Sequence, residues 1–200
     1  MALLIALVTA FNQVREHLAR YELNHFPSNT VTIVFEDFGS DRKYMSLIVS
    51  NSYSNTGGRS STAYVVGESA EFAIDATTFT YKWGDLVTFV VNQRELEISK
   101  QSDAAAFMVP YGSVVSRSVR LYPYPINCLG SQRCDRYEQF IDKREFMAAV
   151  QLDSEIRFTL RTTLSDNAES TIECGILIDE AMLANLALQD WYTAACAQLI

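Results

Sequence analysis

A succession of short β-branched and apolar runs, separated by turn residues, is the feature that most constrains how this chain folds. Thr30–Phe35 alternates as a strand does, Gly39-Ser40-Asp41 is typical of a turn, and Tyr44–Val49 returns as the second strand of a predicted hairpin. Six further runs have strand character: Ala63–Val66, Phe72–Ile74, Thr78–Lys82, Leu86–Val91, Glu95–Ile98 and Val114–Leu121. Strands at intervals of roughly 8 to 15 residues favour an antiparallel β-sandwich over a parallel α/β sheet.

The segments between these runs have less regular patterns. Asn51–Ser61 is rich in Ser, Asn and Gly, which predicts a flexible loop. A short helix is predicted for Asp135–Ile141. A second hairpin is predicted from Phe146–Leu152 and Ile156–Leu164, with its turn at Asp153-Ser154.

An apolar helix is predicted at each end of the chain. Met1–Leu23 repeats large side chains at steps of three and four, which is helical periodicity. Its stripe consists of Leu4, Leu7, Phe11, Val14, Leu18 and Tyr21. Ile178–Leu199 also carries an apolar stripe at helical spacing. Ile178, Met182 and Leu186 lie beside that stripe and widen it, so little polar face remains and a buried helix is predicted. The members of that stripe are Leu177, Ala181, Ala184, Leu188, Trp191 and Ala195.

These patterns predict an α+β, mainly β fold. Residues 1–25 form a projecting N-terminal arm helix, and residues 26–200 form a single antiparallel β-sandwich domain, flanked by helices and closed by the buried C-terminal helix. A length of 200 residues suits one such domain. The arm helix is expected to contact other copies of the chain; packing within its own domain is the alternative.

Charge and hydropathy exclude some classes of partner. The formal net charge of −8 and the absence of a basic run argue against nucleic acid and against anionic membrane surfaces. The sequence holds no apolar run of the length that a membrane span needs. The short apolar run Ala2–Val8 follows no positive residue, which argues against a secretory signal.

Catalytic and metal motifs are not recognisable. Cys128, Cys134, Cys174 and Cys196 form no Cys-x-x-Cys pair, which predicts four thiols in a reducing compartment, with a Cys128–Cys134 bridge as the alternative. The two histidines, His17 and His25, fall on the arm helix and at its end. Neighbouring carboxylates, Glu36 with Asp37 and Asp179 with Glu180, point away from each other. We therefore predict no enzyme, no metal and no cofactor.

Ten tyrosines are spread over almost every predicted element. Tyrosine is common at interfaces and titrates near pH 10. Deprotonating the ten tyrosines and four lysines would add fourteen negative charges to each chain. A close assembly of such chains is expected to be stable at neutral pH and to repel itself apart in alkali. The candidates for this alkaline switch are Tyr44, Tyr53, Tyr64, Tyr111, Tyr122, Tyr124 and Tyr137.

In several segments the chain resembles the cypovirus polyhedrins. The segments are Arg15-Glu16-His17 leading into Thr30–Phe35, the hairpin from Val31 to Ser52, the central stretch from Val87 through Pro110 to Pro123, and Leu186-Ala187-Leu188 followed by Trp191-Tyr192. The order of these segments matches over most of the chain. The chain is shorter than typical members.

The resemblance implies a structural protein without enzymatic activity. Such proteins are β-sandwiches flanked by helices, and an N-terminal helix clamps neighbouring subunits. They form trimers that pack into crystals in the cytoplasm of infected insect cells, encase virions, and dissolve in the alkaline larval midgut. Some of these crystals hold nucleotides, but this sequence shows no matching motif, so no cofactor is carried over.

Two other classes of function stay open. A crystal-forming larvicidal or pore-forming toxin is one, because the apolar first helix suits membrane insertion. A β-sandwich binding module or virion coat protein is the other, with exposed aromatic side chains such as Tyr53, Tyr122 and Tyr124 in recognition.

Overall fold

A computed structural model describes residues 11–14, 20–37, 42–74, 77–92, 95–123 and 140–198. Within these ranges the chain forms eleven strands and two helices, besides one helical turn at residues 11–14. The strands are β1 (Leu23–Asp37), β2 (Lys43–Asn55), β3 (Thr62–Ile74), β4 (Thr77–Asn92), β5 (Glu95–Asp103), β6 (Phe107–Pro110), β7 (Val114–Pro123), β8 (Glu155–Leu164), β9 (Glu169–Leu177), β10 (Trp191–Ala195) and β11 (Ala197–Gln198). The helices are α1 (Lys143–Ala149) and α2 (Glu180–Leu188). The predicted mainly β, α+β class is confirmed.

The sheet closes on itself through the last described segment. Its order is β10-β1-β2-β7-β4-β3-β8-β9-β11, with β5 paired to β4 and β6 paired to β3. Only Cys196 separates β10 from β11, yet β10 pairs with β1 and β11 pairs with β9. Residues 191–198 therefore join the two ends of a single antiparallel sheet. The described strands form one curled sheet, and two separate sheets of a sandwich are not distinguished.

The interior of the closed sheet is the hydrophobic core. Along strands such as β3 and β8, alternate side chains point inward and are buried. In β2, for example, Met45, Leu47 and Val49 are almost fully buried. Phe72 of β3 lies at the centre and contacts the rings of Phe79, Tyr81 and Phe158; for instance, its ring centroid is 5.0 Å from that of Phe158. Helix α1 adds Phe146, and helix α2 adds Met182 and Leu186.

A second, smaller layer covers part of the outer face. Beyond its pairing with β7, β4 continues as a hairpin with β5. Val87 of that hairpin packs with Val34 of β1 and Ile48 of β2, which point outward from the core. Phe89, Leu96, Ile98 and Trp191 surround this contact. The hairpin therefore lies across the outside of β1 and β2.

The predicted long C-terminal helix is wrong. Helix α2 begins after Asp179, whose side chain accepts a hydrogen bond from the Met182 amide at 2.7 Å, and it ends at Leu188. The following residues, Trp191–Ala195, form β10, because aromatic and β-branched side chains favour strands. The buried face of α2 also differs from the predicted stripe. Leu188, a member of that stripe, is 90% exposed, whereas Met182 beside it is buried.

Two other predicted segments are corrected. Helix α1 occupies residues assigned to a hairpin strand, and its start is fixed by a capping box between Asp142 and Glu145. The strand β8 pairs instead with β3 and β9. The predicted helix Asp135–Ile141 lies mostly outside the described residues, and Ile141 itself is not helical.

The predicted loop Asn51–Ser61 is a strand over its first half. Asn51, Tyr53 and Asn55 continue the inward face of β2 and are buried. The polar composition of this segment is typical of a loop, but these polar side chains have partners inside the sheet and therefore belong to a strand. After β2, Gly57 packs against the backbone of residues 20–22, and the Thr56 amide donates to the Glu22 carbonyl at 2.9 Å.

We expect Gly57→Ala to detach residues 20–22 from this turn. A Cβ at Gly57 would lie 2.5 Å from the Arg20 carbonyl oxygen, the Glu22 nitrogen and the Tyr21 Cα, all backbone atoms. Such overpacking costs about 1–3 kcal/mol. Faster tryptic cleavage after Arg20, with a lower urea midpoint, is the expected result. Gly67→Ala is the control, because a Cβ there meets only ordinary contacts of 3.9 Å or more; equal cleavage of both variants would contradict the expectation.

The cysteine prediction is corrected as well. Cys174 of β9 and Cys196 form a disulfide, so two of the four predicted thiols are bonded. Both side chains are buried in the core beside the seam where residues 191–198 close the sheet. Cys128 and Cys134, the pair considered as an alternative bridge, lie outside the described residues.

The N-terminal arm is described in part. Phe11–Val14 is helical, but β1 begins at Leu23, inside the segment 1–25 assigned to the arm helix, and Tyr21 lies in irregular chain. His25 is consequently a strand residue and not a helix end. Among the described helices, none is long and apolar enough to cross a membrane.

Candidate functional site

A polar layer crosses the interior of the closed sheet. The inward alternation that buries Leu47 and Val49 in β2 continues to Asn51 and Tyr53. Glu68 of β3 and Thr162 of β8 take the facing inward positions, because the same period of two runs through each strand. One apolar cluster, the main core, lies on one side of this layer, and a second cluster around Phe107 lies on the other.

Glu68 is the centre of the layer. The Tyr53 hydroxyl donates to Glu68 Oε1, and Asn51 Nδ2 donates to the same oxygen at 2.5 Å. The Tyr53 hydroxyl also lies 3.1 Å from Thr162 Oγ1. Glu68 Oε2 is buried without a hydrogen-bond partner in the described structure. A phenol and a carboxylate thus share a buried site, in which Tyr53 has no exposed surface and Glu68 is 5% exposed.

Burial controls the titration of this pair. Burial raises the pKa of Glu68, and the hydrogen bonds from Tyr53 and Asn51 and the charge of Arg117 offset that rise only in part. Burial and the neighbouring Glu68 raise the pKa of Tyr53 above the ordinary value of 10.0. The ring of His25 stacks on Tyr53 with centroids 4.8 Å apart, and burial lowers the pKa of that histidine.

A second phenol–carboxylate pair lies at the junction of β4 and β7. The Tyr122 hydroxyl donates to Asp85 Oδ2 at 2.5 Å, and Arg120 Nη2 donates to the same oxygen at 2.8 Å. Arg120 Nη1 also bonds Glu36 of β1 at 3.0 Å, and Lys100 of β5 bonds Asp85 Oδ1 at 2.7 Å. The pair therefore connects β1, β4 and β7 of the closed sheet with β5 of the outer hairpin.

The charges around this second pair act in opposite directions. Burial raises the pKa of Asp85, but hydrogen bonds from Lys100, Tyr122 and Arg120 outweigh it and hold the pKa below its usual range. Burial and the bond to Asp85 raise the pKa of Tyr122. At neutral pH this is an ionised carboxylate with a neutral phenol. Ionising the phenol would place two negative charges on one hydrogen bond.

Gly84 makes room for Tyr122, and its substitution by alanine is expected to expel that ring. The register of β4 against β7 shifts between Trp83 and Asp85, and a Cβ at Gly84 would overlap the Tyr122 ring. We expect Gly84→Ala to lower the free energy of unfolding by about 1–3 kcal/mol through overpacking. Near-ultraviolet circular dichroism and urea unfolding check this. Unchanged stability together with an unchanged tyrosine signal would contradict it, and Gly67→Ala is again the control.

The structure places the predicted switch tyrosines in different environments. Tyr53 and Tyr122 are buried beside carboxylates, which contradicts their suggested role as exposed recognition residues. Tyr44 is half-buried and contacts the Phe140 ring at 6.1 Å. Tyr64 and Tyr111 are 41% and 43% exposed. Tyr124 and Tyr137 lie outside the described residues.

The predicted contact stripe is described at three positions. Phe11 and Val14 are helical and exposed, at 69% and 55%. Tyr21 is half-buried and packs against the cluster around Phe107; burial is the largest of the causes that raise its pKa to about 12. The remaining members, Leu4, Leu7 and Leu18, lie outside the described residues.

Sequence reasoning missed the two carboxylates and Asn51. A signal was present for Glu68, because the inward period of β3 places it in line with Ala70, Phe72 and Ile74. A glutamate at an apolar position of such a pattern indicates a buried, partnered carboxylate. For Asp85, the shift in register around Gly84 interrupts the inward alternation of β4, so the sequence pattern does not indicate that Asp85 is buried. Among the described residues, no group of three or more His, Cys, Asp or Glu side chains is arranged to hold a metal ion.

Fold and site together define a mainly β protein with a closed antiparallel sheet and two buried phenol–carboxylate pairs. No protein-family model matches the sequence. No curated protein matches it either. Among solved structures, the crystal structure of Spo0M, a sporulation control protein from Bacillus subtilis, is similar at 6% identity and a TM-score of 0.30. The match covers 80% of this chain and 49% of that chain, so this chain matches about half the length of Spo0M. A likeness at this level carries no argument about function.

Proposed function

We propose that this chain is a structural, self-associating matrix protein of the occlusion-body type, as its resemblance to the cypovirus polyhedrins implies. In this proposal the chains form trimers that pack into crystals around virions in the cytoplasm of infected cells. The observation that carries the proposal is the exposure of Phe11 and Val14, at 69% and 55%. These two apolar side chains lie three residues apart on one helical face, and the proposal places the contact with another copy of the chain on that face.

The two buried phenol–carboxylate pairs support release in alkali. Tyr53 with Glu68 and Tyr122 with Asp85 each place a neutral phenol on a carboxylate away from solvent. Alkaline pH would convert each pair into two adjacent negative charges, and that repulsion destabilises the fold. Such groups would keep the fold stable at neutral pH and destabilise it in alkali, which agrees with the proposal.

A structural role also agrees with the enclosure of the interior layer. Tyr53 is fully buried, and Asn51 and Glu68 are 5% exposed. A substrate would need access to these groups before they could act as acid or base. In the proposal they hold the sheet together, and the chain acts on no substrate.

The decisive experiment expresses the full chain in insect cells and follows particle formation by microscopy. We expect faceted particles from the natural sequence and soluble protein from Phe11→Asp/Val14→Asp, because two charges on the contact face oppose burial. Asn12→Asp/Gln13→Asp is the matched control, since it adds the same charges to the same helical turn at exposed positions. Particles from the control but not from the stripe variant would support the proposal.

Two outcomes would overturn it. Soluble monomer from the natural sequence would remove self-assembly and favour the binding-module alternative. Particles whose alkali-dissolved protein makes liposomes leak would favour the toxin alternative, for which the apolar N-terminal stripe is the motivating feature.

A further inference from the structure

A cleft of about 600 Å³ opens where the β4–β5 hairpin separates from β7. The pairing of β4 with β7 ends at Val87 and Ser118, after which β4 continues with β5 alone. The outward faces of β2 and β7 form the floor of the cleft, and the hairpin forms its wall. We infer that this cleft is a binding site for a neutral saccharide, independently of the self-assembly proposed above.

The floor is a double row of hydroxyl groups. Ser50 Oγ lies 2.8 Å from Ser118 Oγ, and Ser52 Oγ lies 2.8 Å from Ser116 Oγ. Each hydroxyl can donate once and accept twice, and within a pair only one hydrogen is used. Each pair therefore keeps one hydroxyl hydrogen and several lone pairs for a further partner. Sugar hydroxyls also donate and accept, so the two sets are complementary.

The wall adds further groups of the same kind. Gln101 of β5 donates from Nε2 to Thr88 Oγ1 at 3.0 Å, which fixes the amide and leaves its oxygen as an acceptor. Leu86 and Val115 also line the cleft, and each is partly buried against an interior cluster. None of the described residues that line the cleft is acidic, although the chain carries a formal net charge of −8.

Arg117 is the feature of the cleft that would favour an anion over a neutral sugar. It is the sole charged residue among the described lining residues. Its guanidinium carbon lies 4.5 Å from the centre of the Phe107 ring, which belongs to the interior cluster, and its charge also acts on the buried Glu68. The guanidinium therefore stacks on an interior ring, and its buried Nε has no hydrogen-bond partner in the described structure. The paired hydroxyls of the floor lead us to a neutral sugar, and an anion bound through Arg117 is the outcome that the titration must exclude.

The test is a titration of the full-length protein with maltose, cellobiose and N,N′-diacetylchitobiose at millimolar concentrations. Calorimetry and NMR measure the binding. We expect one of the three to bind. Ser52→Ala/Ser116→Ala should weaken that binding by roughly tenfold, because hydrogen bonds to the sugar are lost. Removing both partners of a pair leaves neither unsatisfied, so folding is preserved. Ser165→Ala, in the β8–β9 turn away from the cleft, should bind as the natural protein does.

Three results would overturn the inference. Failure of all three disaccharides to bind at millimolar concentration is the first. Binding of inorganic phosphate in place of any sugar would show that the cleft selects an anion. Sugar binding that the double variant leaves unchanged would place the sugar elsewhere on the molecule.

Discussion

Replacing Cys174 and Cys196 together by alanine is expected to lower the free energy of unfolding by about 3 kcal/mol. The two cysteines are 22 residues apart, and a cross-link that closes a loop of that size restricts the unfolded chain by about this amount. The loss is also expected to be local, because the bond joins β9 to the segment that closes the sheet. Urea unfolding of the variant measures the first effect. Amide exchange at Ala197 and Gly175 measures the second.

The natural protein in reductant is the matched comparison. Its unfolding midpoint should fall to that of the double-alanine variant, whose own midpoint should not respond to reductant. Midpoints that stay the same with and without reductant would show that the bond does not form in solution. If amide exchange became faster by the same factor throughout the protein, and not more so at Ala197 and Gly175, the bond would not hold β11 in place.

Raising the pH above 10 is expected to destabilise the fold steeply. Tyr53 and Tyr122 have pKa values above the ordinary 10.0 in the folded state, so their contribution is complete below pH 10 and is lost as the pH rises toward the folded values. Each tyrosine then removes about 1.4 kcal/mol for every pH unit above 10. Urea unfolding between pH 9 and pH 11 at constant ionic strength measures the slope.

Tyr53→Phe and Tyr122→Phe should each flatten this slope. Each variant starts from a lower stability at neutral pH, by about 1–3 kcal/mol, because a buried carboxylate loses its donor. Tyr64→Phe is the matched control, since Tyr64 is 41% exposed, and it should keep the slope of the natural protein. Burial also raises the pKa of Tyr81, so part of the slope should remain in the variant lacking both hydroxyls. A slope that does not decrease in that variant would assign alkaline destabilisation to other groups.

The strand runs were predictable because their signal is local. Thr30–Phe35 and Tyr44–Val49 alternate over enough residues to fix both the strand and its inward face, and they pair as predicted. The same reasoning failed at Ile178–Leu199. Apolar residues at most positions suit a buried helix and a buried strand alike, and only the packing of Trp191 and Ala194 against β1 decides in favour of a strand.

The polar residues of the site show the opposite limit. Asn51 lies in a Ser- and Asn-rich stretch that is typical of a loop, yet it is buried. Its partner Glu68 lies on another strand, and Tyr53, which bonds the same carboxylate, lies further along β2. Local composition contains no information about such partners. The tyrosine set was identified from the sequence, but which of its members are buried beside carboxylates was not.

The sequence by itself determined the mainly β class, the first hairpin and an acidic chain rich in tyrosine, since these follow from composition and short-range periodicity. The tertiary structure decided the rest. It closes the sheet through residues 191–198, bonds Cys174 to Cys196, and brings Tyr53 to Glu68 and Tyr122 to Asp85. Each of these contacts joins strands remote in sequence or depends on sheet register, and a one-residue change of register would turn the side chains to the opposite face.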